Sequence, residues 1–217
     1  MSTIRHLVSI KDLSNKEFEI LVDRAEHFKR IFKSNDTEEF QKNHLKLLGK
    51  TAALLFTKRS TRTRISSEGA ATFFGAQPMF LGKEEIQLGV NESLYDTTKV
   101  ISSMVSCIFA RVNAHNDILQ LCQYSSVPII NSLCDMYHPL QAICDMLTIK
   151  EHLDYTKNKL KVAWIGDSNN VINDMAIACL KLGIDVSIAT PPGIEMNEII
   201  IKAAEELCAE KCSKLLV

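Results

Sequence analysis

The chain has 217 residues, 25 of them basic and 26 acidic, so its formal net charge is −1. Hydrophobic residues make up 46% and charged residues 24%, which is typical of an ordinary globular protein and excludes a disulfide-rich miniprotein. The balanced charge provides no long-range field for nucleic acid or an anionic membrane, and no apolar run approaches the roughly 20 residues that span a bilayer. We therefore expect neither a nucleic-acid nor a membrane partner.

The predicted elements in the first part of the chain alternate between strand and helix. Ser14 and Glu17 form a capping box that opens the first helix, and Gly75 ends another. Proline stands in the first turn of the helix that begins at residue 139, where a missing N–H costs nothing. The predicted strands are 51–56, 106–111 and 127–130, and the predicted helices are 14–32, 64–74, 93–104, 116–124 and 139–153.

A polar linker near 154–159 separates this part from a second run of strands and helices. The alternation predicts an α/β fold, a parallel sheet flanked by helices. We expect a complete first domain, 1–152, followed by an incomplete, doubly wound second domain, 153–217, whose sheet would keep an uncovered face and edge. The predicted strands here are 161–165, 184–189 and the opening of a third at 213–217, and the predicted helices are 171–182 and 195–212.

The most informative segment is 56–64, FTKRSTRTR, which connects a predicted buried strand to a helix. Helix-start N–H groups, hydroxyl groups and guanidinium groups offer many donors to a phosphate dianion, and the segment contains no carboxylate. The same residue types also cap helices and decorate surfaces, which is the structural alternative. The glycine-rich frame of a P-loop is absent. The side-chain donors are Ser60, Thr61, Arg62, Thr63 and Arg64.

A second motif, HPLQ at 138–141, lies at a helix start just after a strand and is preceded by Asp135. The helix dipole disfavours an imidazolium there, so a neutral His138 could donate an N–H to a carbonyl oxygen, with the Gln141 amide one turn further along. Taken alone, the motif is better interpreted as a histidine that caps its own helix. Arg111 ends an apolar strand at the edge where parallel sheets bind ligands, and it either fixes an anion or forms a structural ion pair.

The segment 166–170, GDSNN, occupies the position of a dinucleotide-binding fingerprint between a strand and a helix. It has one of the three required glycines, and no acidic residue ends the next strand, so we exclude NAD. Paired asparagines commonly cap a helix, but Asn170 could also hydrogen-bond a second substrate. Cys208 and Cys212 could share a metal, but no histidine or second cysteine pair lies near them, so we expect no metal site.

Five segments occur in one order along essentially the whole chain: 56–64, 88–93 (LGVNES), 110–112 (ARV), 138–141 and 166–170. This combination resembles the aspartate/ornithine carbamoyltransferase family, and the first two segments are similar to its ornithine-specific members. The resemblance implies transfer of the carbamoyl group of carbamoyl phosphate to the side-chain amine of L-ornithine, giving L-citrulline and phosphate, with no cofactor and no metal.

The resemblance also implies roles for individual residues. Gln87 would reach a neighbouring subunit's site in a homotrimer, and Asn170 would contact ornithine. Donors around the carbonyl oxygen would stabilise the tetrahedral oxyanion, while arginines neutralise the departing phosphate. The phosphate would be held by Ser60, Thr61, Arg62 and Thr63, and the carbamoyl end by Arg111, His138 and Gln141.

A full member of the family is similar to this chain but continues for roughly half as much again. The continuation would carry an Asp with a Ser-Met-Gly loop, a His-Cys-Leu-Pro loop, a late arginine and a terminal helix. We therefore expect a C-terminally truncated chain that binds carbamoyl phosphate and forms little or no citrulline. Two alternatives stay open: a non-catalytic short subunit that modulates full-length partners, and a carbamoyltransferase for another amine or amino acid.

The absence of a visible presequence favours a cytoplasmic location, with the mitochondrial matrix as the alternative.

Overall fold

The computed structural model describes residues 4–34, 37–211 and 213–217. Contacts divide the chain into two compact units, Met1–Val8 with Arg30–Asp135 and Ser9–Lys29 with Met136–Val217. No helix in the described part of the chain has the length and apolar content needed to cross a bilayer. The helices are α1 (Asn15–Lys33), α2 (Thr37–His44), α3 (Thr61–Phe73), α4 (Leu94–Met104), α5 (His115–Tyr124), α6 (Pro139–Leu153), α7 (Asn170–Lys181) and α8 (Glu198–Lys211), and Leu45–Leu47 form a 3₁₀ turn. The strands are β1 (Thr51–Phe56), β2 (Gln77–Gly82), β3 (Cys107–Arg111), β4 (Ile129–Leu133), β5 (Lys161–Ile165), β6 (Asp185–Ala189) and β7 (Leu215–Leu216).

The first unit contains a parallel sheet in the order β2-β1-β3-β4. Strand β1 is central, and its apolar run from Ala52 to Phe56 is buried, as expected for a parallel strand covered on both faces. Phe56 lies opposite Arg111 in the register of β1 and β3, so both strands end at the same sheet edge. That shared edge brings the loop after β1 next to the end of β3.

The N-terminal segment lies beside β4 in the same unit. Leu7 forms a parallel bridge with Ile130, and its N–H donates to the Ile129 carbonyl at 2.9 Å. The Ile129 N–H in turn donates to Nδ1 of His6 at 3.1 Å. The segment before α1 is thus held by both backbone and imidazole contacts.

Two features of this unit differ from the sequence-based prediction. Helix α3 begins at Thr61, three residues before the predicted start at 64, because Ser60 already supplies the cap. Strand β2 was not predicted, because its apolar stretch is short and contains Pro78. Proline is tolerated in a strand at a sheet edge, which is where β2 lies.

The second unit contains the parallel sheet β5-β6-β7. Its strands and helices lie within three residues of the predicted bounds, and α6 coincides with the predicted helix over 139–153. By contacts α6 belongs to this unit, whereas the predicted domain boundary after residue 152 stays a prediction. The parallel α/β fold class predicted from the alternation of elements is confirmed.

Side chains at helix starts follow the sequence signals. The Ser14 N–H donates to Oε2 of Glu17 at 2.8 Å, and the Glu17 N–H donates to Oγ of Ser14 at 3.2 Å. Ser93 and Asp96 form the same reciprocal capping box at the start of α4. The predicted capping box at Ser14 is therefore confirmed, and both capping boxes fix where these helices begin.

Candidate active site

The start of α3 carries two of the predicted phosphate ligands in one hydrogen-bonded group. Ser60 is the N-cap residue, and its Oγ accepts a hydrogen bond from the Thr63 N–H at 3.2 Å. The same hydroxyl donates to Oγ1 of Thr63 at 3.0 Å. The capping role that formed the structural alternative is thus present, and it holds both hydroxyl groups at the first turn of the helix.

Arg111 joins this group from the neighbouring strand. Its carbonyl accepts a hydrogen bond from the Thr57 N–H at 2.9 Å, which ties the end of β3 to the loop after β1. Its Nη1 donates to Oγ1 of Thr63 at 3.3 Å. Ser60, Thr63 and Arg111 therefore meet at the carboxyl edge of the sheet, where ligands of open parallel sheets usually bind.

Two polar atoms at this edge are buried without a hydrogen-bond partner among the described residues, Nε of Arg111 and Oγ1 of Thr57. Burial lowers the pKa of Arg111, and the charge of nearby Arg62 lowers it further. Two guanidinium groups that repel each other beside unsatisfied polar atoms are stabilised by a bound anion. These features favour an anion at this edge, and the assignment of Arg62 and Arg111 to a phosphate or carbamoyl group stays a prediction.

The other predicted phosphate ligands, Thr61 and Arg62, lie in the first turn of α3 with exposed side chains. Thr61 lines a cavity of about 560 Å³ together with Ser60 and the basic residues Lys58 and Arg59. The first N–H groups of an α-helix have no acceptor within the helix, so they add donors at this position.

Arg64 does not share this arrangement. Its Nε donates to Oε1 of Glu68 at 2.9 Å, one helical turn away, and its guanidinium carbon lies 3.6 Å from the centroid of the Phe80 ring. Glu84 and Glu85 also line the cavity that contains Ser60 and Thr61. The side chains of Arg62, Thr63 and Arg111 are not part of that lining. In this structure the guanidinium of Arg64, predicted as a phosphate donor, pairs with a carboxylate and a ring.

Gln87 lies in the loop between β2 and α4, and its side chain is exposed. Its carbonyl accepts hydrogen bonds from the N–H groups of Val90, Asn91 and Glu92 at 3.0, 3.2 and 3.1 Å. Its Oε1 accepts a hydrogen bond from Nδ2 of Asn91 at 3.0 Å. The loop from Gln87 to Glu92 is therefore held by hydrogen bonds to the Gln87 carbonyl.

His138 and Gln141 are carried by α6 in the second unit. His138 is the N-cap residue of α6, with φ −141° and ψ 66°, as the capping interpretation predicts. Its side chain makes no capping hydrogen bond, so that part of the interpretation is wrong. Nε2 of Gln141 donates to Oδ1 of Asp145 at 2.8 Å. Burial raises the pKa of Asp145, and the hydrogen bond from Gln141 acts in the opposite direction.

The paired asparagines before α7 have different positions. Asn169 is the N-cap, and its Oδ1 accepts hydrogen bonds from the N–H groups of Val171 at 2.9 Å and Ile172 at 3.4 Å. Asn170 is the first residue of α7 and is half-buried. Asn169 therefore accounts for the cap, and the substrate role of Asn170 stays a prediction.

Sequence reasoning did not identify Asn173 and Asp174, which lie in the buried part of α7. The backbone N–H of His138 donates to Oδ2 of Asp174 at 2.7 Å. The available signal was a carboxylate within an otherwise apolar helical stretch, which predicts a buried partner without identifying it. By contrast, Asp135 serves α5, because its Oδ1 accepts the His115 N–H at 2.7 Å.

No group of three or more metal-ligating side chains occurs within residues 4–34, 37–211 and 213–217. Of the two cysteines that could share a metal, Cys208 lies in α8 and Cys212 lies outside the described residues.

Comparison with known proteins identifies the relatives of the chain. It is 71% identical over 214 residues to the ornithine carbamoyltransferase of Saccharomyces cerevisiae, a match that covers 95% of this chain and 63% of the relative. It is 60% identical to the mitochondrial ornithine transcarbamylase of Pachysolen tannophilus, covering 98% of this chain and 60% of the relative. The chain thus spans about three fifths of the length of these curated relatives.

Solved structures give the same result. The mitochondrial ornithine carbamoyltransferase of Coccidioides immitis superposes with a TM-score of 0.89 at 49% identity, covering 99% of this chain and 70% of that one. The enzyme of Pyrococcus furiosus superposes with a TM-score of 0.87 at 39% identity, covering 98% and 66%.

Models of two protein domains together match most of the chain. The carbamoyl-phosphate-binding domain of aspartate/ornithine carbamoyltransferase matches residues 5–151. The aspartate/ornithine-binding domain of the same family matches residues 158–217. The resemblance seen in the sequence motifs is confirmed, and the chain belongs to the aspartate/ornithine carbamoyltransferase family.

Proposed function

We propose that the chain binds carbamoyl phosphate and serves the transfer of its carbamoyl group to the side-chain amine of L-ornithine, giving L-citrulline and phosphate. The observation that carries the proposal is the hydrogen-bonded group of Ser60, Thr63 and Arg111 at the start of a helix and the edge of a parallel sheet. The ornithine carbamoyltransferase names of the relatives support the choice of amine.

The phosphate end of the substrate would bind at the first turn of α3. A phosphate dianion accepts several hydrogen bonds at once and is attracted by the partial positive charge of a helix N-terminus. The donors proposed for it are Ser60, Thr61, Arg62 and Thr63. Burial and, after it, the charge of Arg62 lower the pKa of Arg111, and a bound phosphate would relieve the repulsion between the two guanidinium groups.

The carbamoyl end would be bound by Arg111, His138 and Gln141. Attack by an amine converts the carbonyl carbon to a tetrahedral centre and places negative charge on its oxygen, so N–H donors aimed at that oxygen lower the barrier. Nε of Arg111 and the imidazole of His138 are the donors proposed for this role. Nε2 of Gln141 donates to Asp145, so the amide oxygen of Gln141 would be able to accept an N–H of the carbamoyl group.

Ornithine would contact Asn170 at the start of α7. Its side-chain amine must lose a proton to attack. The new carbon–nitrogen bond makes the carbonyl carbon tetrahedral, the nitrogen then releases its extra proton, and the bond to the phosphate oxygen breaks as the carbonyl forms again. Holding both substrates in one orientation supplies much of the rate enhancement in such a transfer.

Calorimetry with carbamoyl phosphate tests the binding step. We expect saturable binding by the 217-residue chain, loss of binding in Arg62→Ala, and little change in thermal stability, because the Arg62 side chain is exposed. Arg24→Ala, which removes another exposed helical arginine, is the matched control and should bind normally. Equal affinities of wild type and Arg62→Ala would contradict the proposal.

A colorimetric citrulline assay with added ornithine measures transfer, for which we expect little or no product from this chain alone.

The assembly and location of the protein are further parts of the proposal. We propose a homotrimer in which Gln87, exposed on its loop, reaches the carbamoyl phosphate site of a neighbouring subunit. Sedimentation analysis of the chain with and without carbamoyl phosphate tests the trimer.

The relatives from Pachysolen tannophilus and Aspergillus niger are named mitochondrial, which supports the mitochondrial matrix over the cytoplasm. The division into domains 1–152 and 153–217 belongs to the same proposal.

A further inference from the structure

Two adjacent side chains of α7 hold the backbone that leads into α6. The Asp174 carboxylate accepts the His138 N–H on Oδ2 at 2.7 Å and the Ile10 N–H on Oδ1 at 2.8 Å. Nδ2 of Asn173 donates to the Met136 carbonyl at 3.0 Å. The segment 136–138 is therefore held at both of its ends by one turn of α7.

Both side chains are withdrawn from solvent, with 5% of Asn173 and 0% of Asp174 exposed. A carboxylate in such a place loses its hydration, and only hydrogen bonds to its oxygens offset that loss. Each oxygen of Asp174 accepts one backbone N–H, so the carboxylate is satisfied by main chain alone. An apolar residue of similar volume would avoid the desolvation cost, which indicates that the backbone contacts are what Asp174 provides.

The backbone at His138 needs such support. Its φ of −141° and ψ of 66° belong to neither a helix nor a strand; its carbonyl accepts the N–H groups of Gln141 and Ala142 at 3.0 and 3.2 Å, whereas its own N–H precedes the helical hydrogen-bond pattern and donates to Asp174. The direction in which a side chain leaves the backbone depends on these dihedral angles. Anchoring the N–H of His138 and the carbonyl of Met136 thus sets the base from which the imidazole projects.

We infer that Asn173 and Asp174 are positioning residues for His138, acting through the backbone of 136–138 to orient its imidazole toward the substrate carbonyl. The functional part of this inference rests on the proposed role of His138. Asn170, the residue proposed for ornithine, lies one turn before Asp174 and on the same side of α7. One helix would then connect the amine-binding residue to the backbone of the histidine.

Nuclear magnetic resonance of the chain labelled with ¹⁵N-histidine tests the inference, since it contains six histidines. His138→Gln assigns the resonances of residue 138. The spectra are compared at pH 8, where the Asp174 carboxyl group is ionised. In Asp174→Asn we expect the His138 amide proton to shift upfield and to exchange with solvent about tenfold faster, because a hydrogen bond to a charged acceptor is lost. The imidazole ¹⁵N resonances of His138 should move as well.

The matched control is Asp185→Asn. Asp185 also accepts a backbone N–H within the second unit, that of Lys214 at 2.9 Å, and forms an ion pair with Lys159 at 3.8 Å. Neither of these interactions involves the segment 136–138. This variant should leave the His138 resonances in place. If Asp174→Asn does not fold, Asn173→Ala replaces it: this variant removes only the contact to Met136 and keeps the hydrogen bond on the His138 N–H, so its readout is the imidazole ¹⁵N resonances of His138.

A second readout uses carbamoyl phosphate labelled with ¹³C at the carbonyl. In Asp174→Asn the carbonyl resonance of the bound substrate should move toward its value in free solution, while the affinity falls less than in Arg62→Ala because the phosphate donors are intact. Unchanged His138 amide and imidazole resonances in both α7 variants, or an equal displacement in Asp185→Asn, would overturn the inference. If wild type does not bind carbamoyl phosphate, the proposed function fails, whereas the His138 resonances still decide the positioning role.

Discussion

Arg111 donates a hydrogen bond from Nη1 to Oγ1 of Thr63 at 3.3 Å, although the two residues are 48 positions apart in the chain. The contact joins the end of β3 to the first turn of α3. The Thr63 hydroxyl oxygen therefore accepts hydrogen bonds from both the N-cap residue Ser60 and Arg111. Together with the backbone hydrogen bond from Thr57 to Arg111, the contact between Arg111 and Thr63 links two motifs that are separate in the sequence.

Replacing Thr63 with valine should weaken carbamoyl phosphate binding about fivefold to tenfold. Valine keeps the shape of the side chain but removes the oxygen that Arg111 and Ser60 contact, at the net cost of roughly one hydrogen bond. Thr63→Ser retains the oxygen and should bind within about twofold of wild type. Calorimetry with carbamoyl phosphate makes the comparison, and equal affinities of the valine and serine variants would show that the contact does not contribute to the site.

Stability should fall on the acid side because of His6. Its Nδ1 accepts the Ile129 N–H at 3.1 Å, which requires the neutral ring, and burial lowers the pKa of His6 below its usual 6.5. The native state therefore binds fewer protons than the unfolded state, and the contribution present above pH 6.5 is lost as pH falls through the lowered pKa. His6→Asn keeps a hydrogen-bond acceptor that does not titrate. Its Tm should therefore decrease less between pH 7 and pH 5 than the Tm of wild type. Parallel Tm curves for the two proteins would disprove this assignment.

Asp174 should have the opposite dependence. Burial raises the pKa of its carboxyl group from 3.8 to about 7, the amides of Ile10 and His138 lower it, and Asp12 raises it. The native state holds a proton that the unfolded state releases, so this contribution is fully present below pH 3.8 and is lost as pH rises through about 7. Asp174→Asn removes the titration, and the Tm difference between wild type and variant should change across pH 5 to 8. A difference that stays constant over that range would rule out a raised pKa.

Gly75→Ala should destabilise the first unit by about 2 kcal/mol or more. Gly75 has φ +83°, and an added Cβ would lie 2.1 Å from the His44 carbonyl oxygen, so both the conformation and the space require glycine. Gly69, inside α3, has open space around its Cβ position, and Gly69→Ala should stabilise by about 0.5–1 kcal/mol through helix propensity. Urea denaturation of the two variants measures both effects. Equal stabilities would show that the close approach to His44 is relieved without cost.

Local signals accounted for much of the fold. The capping boxes at Ser14 and Ser93 were predictable because their partners lie three residues away. Strand β1 was predictable because its apolar run is continuous and short. Strand β2 was not, since an edge strand needs fewer apolar residues and its pairing with β1 is a tertiary contact.

The site was predictable only in part, for the same physical reason. The segment 56–64 predicted a set of anion donors, but the ion pair of Arg64 with Glu68 depends on the start and the phase of α3. Asp174 contacts Ile10, which is 164 positions away, and no local pattern indicates such a partner. A buried acid in an apolar helix identifies a residue with a role, whereas the fold is needed to find its partner.

The spacing along α7 limits what length changes this chain tolerates. Asn170 and Asp174 are separated by one turn, so one inserted or deleted residue between them would rotate one relative to the other by about 100° around the helix axis. Substitutions can alter either residue individually, but an altered number of residues would turn one of them away from its target. Sequence variation in this stretch should therefore consist of replacements, with gaps confined to the loops on either side.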